Sequence, residues 1–471
     1  MAEKTLIRAL GLYGATALVV GSMIGSGVFI VPSIMAGVIQ SPLLIIALFA
    51  AGGVLTIFGA LCYGELAASL PKSGGQYVFL REAYSPMMGF LFGWSLFLVI
   101  QSGLIAAVGV AFAKYLGVFF PSVSEHLVWL SFSILGQTIN ISTAQLVAIV
   151  SIIVLTAVNA YGVKAGGLVQ NIFTFLKVLA IFLLIALAFL SAKGSLTNIS
   201  TTLTPLIPET VKAGFWGAMA IAMSKALFAF DGWTTGTFAA EEVKNPQRNL
   251  PIALIAGTTA VTAIYILATL AYLYLFNVQA AASIPDNRIA AAAAQTIFGP
   301  TGLYFISAAI LISTFGCNNG LILGGARVYY GMARDKLFFK RAATLSPTHS
   351  VPSTALLYQC IWASLLTLTG TYSDLLTYVA FASVLFTALT VAGLFILRWK
   401  QPELVRPYKV TGYPFVPIIY ILIATAFLIY IIEGDPINSG KGIVIILLGI
   451  PVYFGWRASN QKFFRLSPPL P

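Results

Sequence analysis

Two short stretches of this 471-residue chain have the residue types to grip a ligand without covalent chemistry. The first is Gly21-Ser22-Met23-Ile24-Gly25-Ser26-Gly27. Each glycine inside a helix costs roughly 1 kcal/mol relative to alanine, so any helix through this stretch is weak. Two readings are open. Small residues at this spacing let membrane helices pack closely. Alternatively the helix unwinds, and the freed N–H groups of Gly25, Ser26 and Gly27 face an anion at the N-terminus of the half-helix that follows. The second stretch is Phe228-Ala229-Phe230-Asp231-Gly232-Trp233, then Thr234-Thr235-Gly236. It also sets a glycine and polar side chains inside an apolar run. Asp231 is either a buried acid paired with a nearby cation, such as Lys225, or part of a functional site, because an unpaired carboxylate in a bilayer is costly.

Two further groups stand inside apolar runs. Lys177 lies in Asn171-Ile-Phe-Thr-Phe-Leu-Lys177, about eleven residues past the start of its run and too deep for easy snorkelling. Asn318 belongs to the polar cluster Ser313-Thr-Phe-Gly-Cys-Asn-Asn-Gly320, read either as helix packing or as a partner for Lys177 or a ligand. Covalent chemistry has few candidates. There are two histidines, His126 and His349, and three cysteines, Cys62, Cys317 and Cys360, with no metal-ligand spacing and no disulfide framework. No cofactor or metal is expected. An enzyme needs convergent acids, bases or metal ligands, and a channel needs a repeated filter or a charged ring. The sequence has neither pattern.

The elements that must position these groups are membrane spans. Hydrophobic residues make up 59% of the chain and charged residues 8%, far below the roughly 25% charged of soluble domains. A span needs about 20 apolar residues. Twelve runs qualify: 13–37, 42–69, 87–113, 143–161, 166–191, 215–239, 250–277, 299–325, 352–370, 374–397, 414–432 and 441–456. The first run is too long for a signal peptide and is read as a retained span. No soluble domain is expected on either side of the membrane part. The net charge of +12 sits in short loops rather than a basic patch, which argues against nucleic acid. Of the 26 Lys and Arg, 19 fall in segments on the side of the N-terminus and 5 on the other, with Lys177 and Lys225 inside spans. By the positive-inside rule both termini are expected in the cytoplasm. The two interrupted runs are the first and sixth, five apart, which points to an inverted repeat with a site at its centre. No clear residue identity links the halves.

At these residues the chain resembles the amino acid–polyamine–organocation superfamily, and within it the L-type amino acid transporters and their bacterial relatives. Gly21 to Phe29 followed by Pro32 is similar to the first-helix signature. Tyr63-Gly-Glu-Leu and Pro71-Lys-Ser-Gly-Gly-Gln-Tyr77 resemble the second helix and its exit. Phe228 to Trp233 leading to Glu241-Glu-Val-Lys-Asn-Pro-Gln-Arg-Asn-Leu-Pro251 resembles the sixth helix and its exit. Arg327 to Lys336, Lys400 to Glu403 and Arg406 to Lys409 also fit.

The resemblance implies an all-α membrane protein in one transporter domain. Residues 1–400 would form a LeuT-like five-plus-five inverted repeat with broken helices 1 and 6, and residues 401–471 two added helices. It implies an amino-acid site built from Ser22, Met23, Ile24, Gly25, Ser26, Gly27, Phe228, Ala229 and Asp231. The carboxylate would meet Gly25, Ser26 and Gly27, and the ammonium would meet carbonyls near Met23 and Phe228. Helix dipoles suit a zwitterion at both poles. Phe228 would gate the site. Lys177 would bridge the first and eighth helices near the sodium position of sodium-coupled relatives, which implies sodium independence. The implied function is exchange of neutral amino acids by alternating access in the plasma membrane. Proton-coupled uptake, and exchange of cationic amino acids or polyamines suggested by Asp231, are the alternatives. Lys114–Thr143 has no cysteine, so no disulfide-linked heavy subunit is expected there. Ala280–Phe298 is read as a short lid helix or a solvated loop. Glu65, Glu241 and Glu242 are expected in ion pairs with nearby Lys and Arg that brace a closed state.

Overall fold

The computed structural model describes residues 5–134, 137–209, 211, 214–369, 372–434 and 436–466. Lys4 and Lys212 of the charge count, and residue 370 at the expected end of the ninth span, lie outside them. The described residues include ten helices long and apolar enough to cross a membrane, and two shorter apolar helices, Phe215–Phe230 and Ser353–Thr369, fall at the sixth and ninth of the twelve expected runs. The first is Leu12–Met23 continued by Gly27–Ala36. Next come Pro42–Ser69, then Pro86–Leu116, then Thr143–Ala160 and Val163–Leu190. The sixth is Phe215–Phe230 continued after a break by Thr235–Phe238, and the seventh is Pro246–Leu275. Pro300–Arg334, Ser353–Thr369, Tyr372–Lys400, Phe415–Gly434 and Pro436–Leu466 complete the set.

Local sequence explains many boundaries. Proline, which lacks the N–H that a first helical residue leaves unpaired anyway, opens the second, third, seventh and eighth spans. A capping box of Ser142 and Gln145 opens the fourth. In the third span a single π-turn covers Leu96–Ile100, and Ser102 Oγ donates to the Phe97 carbonyl there at 2.7 Å. The first span is 89% buried over its apolar window, whereas the eleventh and twelfth are 28% and 22% buried. The broken helix therefore runs through the middle of the protein, and the last two spans lie at its edge.

The eighth span continues to Arg334, well past the expected end at residue 325. Arg327 reads as a terminator because a charge is costly in lipid. Here it is fully buried, and Glu242 accepts from its Nε at 2.8 Å and its second guanidinium nitrogen at 2.9 Å. On the same face, which carries the N-terminal segment, Glu65 accepts from Arg398 at 2.9 and 2.6 Å. Arg406 lies 3.5 Å from Glu65, and Arg334 pairs with Glu241 at 3.5 Å. Leu10 is stitched onto this face by backbone bonds from its N–H to Glu242 O (3.0 Å) and from Lys244 N–H to its carbonyl (2.7 Å). Each of the three glutamates is thus paired with an arginine on that face.

The opposite face carries an antiparallel hairpin, Val128–Ile134 with Gln137–Ser142, between the third and fourth spans, which the apolar-run pattern does not anticipate. Between the seventh and eighth spans the segment left open as lid or loop is helical over Val278–Ala282 and Ile289–Phe298. Ser33 of the first span ties it down, donating to Ala281 O at 2.6 Å and to Asn287 Oδ1 at 3.3 Å.

Candidate functional site

The two breaks meet. The first half of the first span ends at Met23, and Ile24 leaves helical geometry with ψ 87°. Ser26 caps the second half, which begins at Gly27. In the sixth span the helix ends at Phe230, Asp231 is extended, and Gly232 takes φ +93°. A β-carbon on Gly232 would lie 2.6 Å from the Ser22 carbonyl oxygen, and one on Gly27 would lie 2.8 Å from the Ala229 α-carbon. Only glycine permits that approach at either position. The unwound reading of both stretches is therefore the one that describes the backbone.

A small cavity lies at the junction, with room for about one water molecule. Ser22, Met23, Gly25, Ser26, Gly27, Phe228, Ala229 and Asp231 line it, so the structure brings together eight of the nine residues expected at the site. Leu104 and Val108 of the third span and Cys317 and Leu321 of the eighth complete the wall. Ile24 is not part of it. Its side chain is fully buried, and its carbonyl turns away to Lys177 and Ser313. The expectation for the three amides also needs correction at Gly25, whose N–H donates to Met23 O at 2.9 Å. Ser26 and Gly27 sit at the start of a half-helix, the end that carries partial positive charge. Helix C-termini at Met23 and Phe230 bring partial negative charge to the same space.

One hydroxyl ties the two broken helices together. Tyr265 Oη, from the seventh span, is 2.9 Å from Met23 O and 3.0 Å from Ala229 O, and its single proton serves one of them at a time. Nothing in the sequence reading singled out this tyrosine.

Lys177 is fully buried. Its ammonium donates to Gly21 O and Ile24 O, each at 2.7 Å, and to Ser313 O at 3.2 Å. All three N–H donors are used, and the group bridges the first and eighth spans. Its acceptor on the eighth span is Ser313 and not Asn318. The Asn318 amide instead donates to Ile105 O at 3.2 Å and does not line the cavity.

Asp231 reaches neither of these lysines. Its Oδ1 accepts from Gly232 N–H at 2.7 Å and from Ser383 Oγ at 3.3 Å, so pairing with Lys225 is not what holds it. Its Oδ2 is buried with no hydrogen-bond partner among the described residues. The carboxylate also borders two adjoining spaces, one edged by Thr56, Thr387 and Tyr420 and one by Gln76, Gln101 and Thr235. Among the described residues no cluster of His, Cys, Asp or Glu is arranged to hold a metal.

Comparison with known proteins bears on this geometry. A family model described as amino acid permease matches residues 10–453. The large neutral amino acids transporter small subunit 2 of Mus musculus is 31% identical over 458 residues, covering 95% of this chain and 81% of that protein. The b(0,+)-type amino acid transporter 1 of Mus musculus is 31% identical over 468 residues, covering 96% and 90%. The Asc-type amino acid transporter 1 of Mus musculus is 30% identical over 480 residues, covering 98% and 84%. The matched region takes in both breaks, Lys177, Tyr265 and every wall of the cavity, and on that basis the chain belongs to the amino acid permease family of multi-pass membrane transporters, which are not enzymes.

Proposed function

We propose that this chain is a sodium-independent exchanger of neutral amino acids that works by alternating access around the junction of its broken first and sixth spans. The observation that carries the reading is the pairing of a dipolar cavity with a fixed cation. A substrate carboxylate is served by the half-helix N-terminus at Ser26 and Gly27, with Ser22 beside it. The ammonium is served by carbonyls at the helix ends near Met23 and Phe228. Lys177 already satisfies Gly21 O, Ile24 O and Ser313 O, so a sodium ion has no set of carbonyls to occupy there. Leu104, Val108 and Leu321 offer an apolar wall for an uncharged side chain. Phe228 closes the cavity as a gate.

Residues 1–400 form the inverted-repeat core, and residues 401–471 add two helices. The lysine and arginine bias puts both termini in the cytoplasm of a plasma-membrane protein. The absence of cysteine from Lys114–Thr143 favours a carrier that works without a disulfide-linked subunit. One observation supports a second reading. The Oδ2 of Asp231, which has no hydrogen-bond partner among the described residues and lies at the cavity, suits a cationic substrate or a transported proton, since a buried carboxylate without a counter-charge is costly.

The test is uptake of radiolabelled alanine into sodium-free proteoliposomes, either loaded with unlabelled alanine or empty. Uptake confined to loaded vesicles is expected of an exchanger. Equal uptake into both, rising with an imposed pH gradient, would replace exchange by proton coupling. Uptake of arginine but not alanine would replace the neutral substrate by a cationic one.

A further inference from the structure

The two halves of the first span are held by different parts of the protein. The second half is tied through Ser33 to Ala281 and Asn287. The first half is tied to the fifth and eighth spans, and Lys177 is only the last rung of that attachment. Gln170 Nε2 donates to Ala17 O at 3.2 Å, and Thr174 Oγ1 donates to the same carbonyl at 3.1 Å. Asn319 Nδ2 donates to Gln170 Oε1 at 2.9 Å and to Gly166 O at 3.0 Å. Asn159 Nδ2 of the fourth span donates to Asn319 Oδ1 at 2.9 Å.

The spacing makes this a ladder. Ala17, Gly21 and Ile24 stand at i, i+4 and i+7, so they share one face of the half-helix. Gln170, Thr174 and Lys177 stand at the same spacing on the fifth span. The rungs keep the same order along both helices: Gln170 and Thr174 to Ala17, and Lys177 to Gly21 and Ile24. Gln170 and Asn159 are each 1% exposed, Asn319 is 0% and Thr174 is 6%. A slip or rotation of the half-helix would strand buried amides where no water can replace the lost bonds, so the ladder specifies one depth and one rotation. Ser22 and the break at Ile24 follow directly from that placement.

We propose that Gln170 and Asn319 are positioning residues for transport: through this ladder they hold the first half of the first span so that Ser22 and the broken segment face substrate correctly. They line no part of the cavity, so they set affinity for all substrates in common and leave side-chain preference alone. The proposal rests on the carrier reading above.

The experiment uses the full chain in sodium-free proteoliposomes and measures exchange of radiolabelled alanine and of leucine. Gln170→Leu is expected to raise KM for both by roughly tenfold, the equivalent of its one bond to the half-helix, at Ala17 O, with the alanine-to-leucine ratio unchanged. Asn319→Leu is expected to move KM in the same direction. Thr174→Val keeps the side-chain shape and removes one donor to Ala17 O. It is expected to raise KM about threefold and carries the test if Gln170→Leu does not fold. Thermal unfolding in detergent is measured alongside. Unchanged KM with a lowered unfolding midpoint would make the ladder merely structural and overturn the proposal. A changed alanine-to-leucine ratio would also overturn it, by placing these side chains against substrate. A wild-type protein that exchanges neither amino acid in the same vesicles would refute the exchanger reading itself, and this proposal with it.

Discussion

Replacing Lys177 by methionine keeps most of the side-chain volume and removes three hydrogen bonds. Their worth differs from one acceptor to the next. In an unbroken helix Gly21 O would accept from the N–H of residue 25, but Gly25 donates to Met23 O instead. The ammonium is therefore the replacement for a bond that the break removed. Ile24 O also accepts from Ser313 Oγ at 3.2 Å and would stay partly satisfied. Ser313 lies inside the eighth span, where the helix supplies a partner for its carbonyl. The cost of the substitution thus concentrates on Gly21 O, with a smaller part on Ile24 O, at about 1–3 kcal/mol for a buried carbonyl left unmade. Removing a buried ammonium returns several kcal/mol of desolvation, so the fold is expected to survive. The geometry of the break is not. A loss of about 1–3 kcal/mol of substrate-binding order corresponds to a fall in kcat/KM of about 5- to 150-fold. The assay is initial exchange of alanine in proteoliposomes, with size-exclusion profiles in detergent to verify folding. A folded Lys177→Met protein that exchanges alanine like wild type would refute the role given to the ammonium.

Other outcomes follow from the same contacts. Tyr265→Phe removes the hydroxyl between Met23 O and Ala229 O and is expected to raise KM about tenfold in the exchange assay; an unchanged KM would show that the two broken helices need no such link. Glu242→Ala leaves Arg327 buried without its bidentate partner, and the expected loss is about 3–5 kcal/mol of stability, read as a lowered unfolding midpoint. Restoring stability with the double change Glu242→Leu and Arg327→Met would attribute that loss to the stranded charge. Asp231→Asn keeps the approximate shape of the side chain and removes the carboxylate at the cavity. Alanine exchange is expected to persist without an order-of-magnitude change, whereas abolished alanine exchange would show that the charge serves neutral substrates.

The legible parts of this protein were those that violate a pattern. Glycines and serines inside an apolar run betrayed the break in the first span, and Lys177 stood out because a charge there needs partners. Each of the twelve expected runs corresponds to a helix, and ten of those helices are long and apolar enough to cross a membrane. Tyr265 violates nothing, since a tyrosine is at home in a membrane helix, and its role depends on two carbonyls that only the fold brings together. Leu104 and Val108 read as ordinary core residues for the same reason. Asn318 and Asn319 are adjacent in one polar cluster but point about 100° apart on a helix. The one favoured from sequence meets Ile105, while its neighbour joins the buried ladder. Ile24 belongs to the broken stretch, yet the chain turns there and sends its carbonyl to the fifth span rather than the cavity. The eighth span runs past its expected end because Arg327 has its partner 85 residues away, beyond the reach of local pattern.

The most direct test is a structure with alanine bound. One alanine is expected at the cavity, its carboxylate within hydrogen-bond reach of the Ser26 and Gly27 amides and its ammonium at the carbonyls near Met23 and Phe228. The Lys177 ammonium should still rest on Gly21 O and Ile24 O. Alanine bound instead in the adjoining space beside Thr56, Thr387 and Tyr420, or a reversed alanine with its ammonium at Ser26, would contradict that placement.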